Sequence, residues 1–89
     1  LSDIERASSM EPSEPLYHAE RAAAHFRFNQ LDEAIAAARE AIALDDAFAD
    51  AHRILGICLR QQKKEQEALQ ELRRAAELGD EMAKKLLAE

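Results

Sequence analysis

Two glycines, two prolines, one cysteine and no tryptophan leave this 89-residue sequence poor in the residues that punctuate or staple a fold. Valine and threonine are missing altogether, so β-branched character rests on a few isoleucines. With so few turn and strand formers, an all-β fold is excluded. The lone cysteine, Cys58, has no internal partner for a disulfide, so the fold needs no oxidising compartment. No apolar run approaches the ~20 residues that cross a bilayer, and no basic stretch leading into an apolar one marks a signal peptide. The sequence opens on Leu1 rather than Met, which reads as a piece of something longer.

What is present is charge and small apolar residues. Charged residues make up 34% of the chain and apolar ones 47%, a balance that folds rather than staying disordered. The length allows one small domain. The net charge is −6, which on the whole repels phosphate backbones and argues against nucleic acid. The sign is uneven: residues 1–50 hold eleven acids and four bases, whereas 51–89 hold seven acids and eight bases. A soluble protein is expected, with the cytoplasm favoured and the compartment otherwise open.

Sliding the sequence along itself gives a match at an offset of 34 residues, which lays 15–48 over 49–82 without a gap. Seven positions are identical: His18/His52, Glu33/Glu67, Ala34/Ala68, Arg39/Arg73, Ala41/Ala75, Leu44/Leu78 and Asp46/Asp80. The register also runs back, setting Leu1, Ala7 and Met10 over Ile35, Ala41 and Leu44. Within a unit the apolar spacing is helical, as in Leu31, Ala34, Ile35, Ala38, Ala41 and Ile42. The same face returns in Leu69, Leu72, Ala75 and Ala76, and a helix earlier in Ile54, Leu55, Cys58 and Leu59. Helices are expected near 2–10, 16–28, 31–44, 48–61, 65–78 and 81–88, with Ser13, Asp46 and Asp80 as caps and tight turns at Asn29-Gln30 and Gln62-Lys63-Lys64.

The second unit reads His52-x2-Leu55-Gly56-x2-Leu59, then Ala68-x3-Leu72, with Ala75 and Leu78 following and Asp80 where a proline is usual. The first reads His18-x2-Arg21-Ala22-x2-His25, then Ala34-x3-Ala38, with Ala41, Leu44 and Asp46. This pattern resembles the tetratricopeptide repeat (TPR), whose signature is W-x2-L-G-x2-Y, A-x3-F and P. The resemblance implies an all-α fold of antiparallel helix–turn–helix repeats, stacked as a short right-handed superhelix, an α-solenoid. It divides the chain into the second half of a preceding repeat (1–14), two full repeats (15–48 and 49–82) and the start of a further repeat or capping helix (83–89). Both units depart from the signature at His18 and His52, where a large aromatic is usual. In helix 16–28 the most apolar stripe is Leu16, Ala19, Ala23 and Phe26, so either the register is shifted or this face points into the groove.

No catalytic constellation is visible: there is no nucleophile–base pair and no glycine-rich phosphate loop. The three histidines and Cys58 lack the close pairs or Cys-x2-Cys spacing of a metal site, so no metal or other cofactor is expected, and half-buried packing roles suit them better. The bases from Arg53 to Arg74 read as solvated helix faces paired with acids such as Glu67 and Glu77. The remaining function is binding. The resemblance implies a concave groove built by the first helix of each repeat, here Leu16, Ala19, Glu20, Ala23, Phe26 and Arg27, with Asp50, Arg53, Ile54, Ile57, Arg60 and Gln61 from the second. The expected ligand is a peptide or protein segment combining apolar and acidic side chains, because Arg27, Arg53 and Arg60 ring an apolar floor. Chaperone-tail binders of this family clamp a terminal carboxylate at places that hold Ala19, Ala23 and Ile54 here, which points away from that ligand class. The competing reading is a spacer, or self-association into a homo-oligomer through exposed repeat ends at Leu1, Ile4 and Met10.

Overall fold

The structure, a computed structural model, describes residues 14–88. Within them the chain forms five helices and no strand: α1 (Pro15–Arg27), α2 (Leu31–Leu44), α3 (Ala49–Gln61), α4 (Glu65–Glu77) and α5 (Glu81–Ala88). Each lies within a residue or so of its expected span. The helix expected at 2–10 and the cap expected from Ser13 lie outside the described residues.

Pro15 stands in the first turn of α1, where its missing N–H would have had no partner anyway. Three of the connections that follow are built alike. After α1 the Gln30 N–H donates to the His25 carbonyl at 2.8 Å, after α3 Lys64 donates to Leu59 at 2.9 Å, and after α4 Asp80 donates to Ala75 at 3.0 Å. In each, the preceding residue is left-handed: Asn29 at φ 60°, Lys63 at φ 65° and Gly79 at φ 101°. Asparagine and glycine tolerate that conformation, whereas lysine's Cβ makes it costly. Lys63→Gly should therefore stabilise the protein by about 1 kcal/mol, which raises the melting temperature of a domain this size by roughly 4–8 °C. A calorimetric melt unchanged or lowered by the substitution would contradict that reading.

Consecutive helices pack as α1 on α2, α2 on α3, α3 on α4 and α4 on α5, with α1 also touching α3. That is a solenoid in which each unit touches its neighbours. Among the described residues, ten of the fifteen buried apolar ones are alanines, so the helices approach closely, and Ile35, Leu55, Leu59 and Leu72 supply the bulk. The repeat register is kept in α1: Ala22 is fully buried like its counterpart Gly56, and His18 is buried like His52. No shift of register is needed.

The two repeats are not closed in the same way. Asp80 caps α5, its Oδ1 accepting the Ala83 N–H at 2.9 Å. Asp46 does not cap α3, which begins three residues later at Ala49 with Phe48 before it and no side-chain cap. The Asp46 carboxylate instead takes Arg74 Nη2 at 3.4 Å, joining the connection between the repeats to α4. Arg74 thus pairs across the repeat boundary rather than with a neighbour one turn along its own helix.

Candidate partner-binding face

The face expected to bind is carried by α1 and α3, which lie side by side. Four of its apolar residues are drawn into the packing. Ala19 is 3% exposed in a cluster with Ala41 and Ala51, against which Ile54 and Phe48 pack. Phe26 leans on the main core, and Ile57 packs on Leu72, Ala75 and Ala83. Their burial follows from alanine neighbours, which leave room for a larger side chain to fill. Leu16, Arg27, Asp50, Arg60 and Gln61 remain exposed, while Glu20, Ala23 and Arg53 are half-buried.

Arg53 has a structural role that its sequence neighbours did not reveal. Its Nε donates to Asp80 Oδ2 at 2.9 Å, and its Nη2 reaches Asp50 Oδ1 at 3.4 Å. The Asp80 side chain is only 7% exposed. Burial alone would push its carboxyl up, but the Ala83 N–H, the Arg53 guanidinium and the Met82 N–H together outweigh it and hold Asp80 below the ordinary carboxylate range. Arg53 and Asp80 therefore fasten α5 to α3. The signal missed in the sequence is the exchange of Ala19 for Arg53 at matching places, since a charge entering one repeat alone implies a partner.

The histidines take the places of the usual aromatics, and each lies against an acceptor. His18 Nδ1 lies 2.9 Å from Glu40 Oε2, linking α1 to α2. His52 lies between Glu71 Oε1, 2.7 Å from Nδ1, and the Asp46 carbonyl, 2.7 Å from Nε2. Both partners are acceptors, so the ring makes both bonds only with a proton on each nitrogen. His25 Nδ1 is 2.7 Å from Gln30 Oε1 and braces the α1–α2 turn. Cys58 is fully buried, and burial pushes its thiol up to about 11, so it packs as a small hydrophobe. Among the described residues no three His, Cys, Asp or Glu side chains come together as metal ligands, and no helix is long and apolar enough to cross a membrane.

Helix pairs stacked in register, one pair on the next, define a helical-repeat fold. The Tetratricopeptide repeat family profile matches residues 1–47 and 20–83, and the chain belongs to that family. Among solved structures it is similar to the first TPR of Spaghetti (RPAP3) bound to the HSP90 peptide SRMEEVD, with 26% identity and a TM-score of 0.81. The match covers 88% of this chain and 64% of that one, so the chain spans just under two thirds of that structure's length. No curated protein sequence matches it significantly.

Proposed function

We propose that this chain binds a peptide segment of a partner protein on the α1–α3 face, through apolar contacts and carboxylate–arginine pairs, without catalysis. The observation that carries the reading is the exposure of Leu16 at the start of α1 and of Arg27 and Arg60 near the ends of α1 and α3, with the other apolar residues of the face packed beneath. Arginine pairs bidentately with carboxylates and is enriched among interface anchors. Support also comes from the solved TPR similar to this chain, whose bound peptide SRMEEVD combines methionine and valine with three acids. Terminal-carboxylate clamping through Ala19 and Ile54 is not part of the proposal, because an alanine and an isoleucine donate no side-chain hydrogen bond and both lie in the packing between helices. Arg53 is assigned to the fold rather than to the ligand, since Asp80 and Asp50 hold it.

The test uses fluorescein-labelled SRMEEVD in acid and amide forms, together with an array of short acidic–apolar peptides. Capture should weaken with salt, survive amidation and disappear in Arg27→Glu/Arg60→Glu while the helical signal is kept. Equal capture by the double variant removes the face from consideration. A failure of every peptide to saturate the wild-type chain favours the spacer reading.

A further inference from the structure

Helix α1 differs from α3 at two of the places by which α3 meets α2. In the α2–α3 joint, Ala37 and Leu55 are each 4% exposed and share one apolar cluster. One period earlier those places hold Asp3 and Arg21. Ala51 belongs to a second buried cluster, against which Ile42 packs. One period earlier those places hold Tyr17 and Ser8. An apolar pair has thus become an acid and a base, and a small residue facing a large one has become a large residue facing a small one. Each change on α1 is answered by a change in the segment before it. The α1 side of the joint is in place: Tyr17 stands edge-on to His18 with ring centroids 5.1 Å apart, and the Arg21 guanidinium carbon lies 5.7 Å from the Tyr17 ring centroid.

We propose that residues 1–10 dock against α1 as a helix, with Asp3 pairing with Arg21 and Ser8 giving Tyr17 its room, so that this joint is held by charge where the α2–α3 joint is held by apolar burial. The occupant is the chain's own segment, because both answering residues lie in it at the offset of 34 that relates the two repeats. Reach agrees: residues 11–14 separate the segment from Pro15, just as residues 45–48 separate Leu44 from Ala49. Ten residues of helix span about 15 Å, against about 20 Å for α1. Leu1 and Ile4, at the places of Ile35 and Ala38, supply the apolar contact. A pair of charges gains less from docking than buried apolar surface does, and salt screens it. This joint therefore opens before the α2–α3 joint and opens further as salt rises. The proposal does not depend on the α1–α3 face.

The readout is amide hydrogen exchange of residues 3–8 in the full chain at low and high salt. Protection is expected in the wild type at low salt. Arg21→Glu and Asp3→Lys should each speed exchange about three- to fivefold, whereas the charge-reversed double variant should return to within about twofold of the wild type. High salt should shrink the differences among these four chains. Ser8→Ile with Tyr17→Ala transplants the α2–α3 pair, so this double variant should be better protected than either single one. Circular dichroism checks that α1–α5 stay folded throughout. Unprotected residues 3–8 in the wild type, or a charge-reversed variant no better protected than its singles, overturns the proposal. Sedimentation decides whose α1 the segment covers: a monomer supports the assignment, and a dimer dissolved by Arg21→Glu makes a second copy the occupant and overturns it.

Discussion

Replacing Gly56 with tryptophan is expected to leave a chain with no cooperative thermal transition. A Cβ at this position would lie 2.8 Å from Leu72 Cγ, 3.0 Å from its Cδ2 and 3.2 Å from the Ala68 carbonyl oxygen. Neither neighbour can step aside, because Leu72 and Ala68 are each 2% exposed. Even Gly56→Ala sets a helix-propensity gain of about 1 kcal/mol against an overpacking loss of about 1–3 kcal/mol, so a net loss is expected. A whole indole exceeds what a domain of this size has in reserve, about 5 kcal/mol. The first repeat shows the alternative solution, with Ala22 and Ala38 at the places of Gly56 and Leu72. Gly56→Ala combined with Leu72→Ala rebuilds that pair, so the double variant should be less destabilised than the sum of the singles. Thermal melts followed by circular dichroism measure all four chains. An unchanged melt for Gly56→Trp would mean that α3 does not press on α4 as described.

The second large effect is expected at Asp80. Removing its carboxylate in Asp80→Ala deletes the α5 cap and leaves Arg53 without its closest partner. A lost cap is worth about 1 kcal/mol, and an abandoned half-buried guanidinium adds about as much again. Amide hydrogen exchange should quicken first in residues 81–88, with α1 and α2 least affected. Acid should do the same to the wild type. Because the folded Asp80 titrates below the ordinary carboxylate range, the unfolded chain takes up its proton first. The stabilisation is complete above the ordinary carboxylate value and declines as pH falls through the depressed one. Asp80→Asn should flatten that part of the profile, as measured by urea unfolding over a pH series. A variant whose stability falls with acid as steeply as the wild type's would show that other carboxylates govern the loss.

The helices and their alanine seams were legible in the sequence because volume and periodicity are local properties. Gly56, Ala68 and Ala75 can only be small where helices touch, and the 34-residue register places them without coordinates. Environment was less legible. Asp46 and Asp80 are identical in type and place, yet only Asp80 caps, because α5 starts directly after it and α3 starts later. Arg53 looked like a ligand anchor because its partner lies a whole connection away, and pairings at that range leave no spacing to read. The alternatives left open for α1 resolve into two populations: Ala19 and Phe26 pack inward, and Leu16 and Arg27 face out.

His52 has a consequence for shape. It touches the connection between repeats through the Asp46 carbonyl and the neighbouring helix through Glu71, so one ring fixes three segments. An aromatic at that place would fix them by contact alone, whereas the imidazole ring sets a polar contact of 2.7 Å on each side. The rotation from one repeat to the next is then gauged by polar geometry as well as by side-chain bulk. Because a small angle per repeat accumulates along a solenoid, whatever holds this one junction bears on the course of every repeat that follows it.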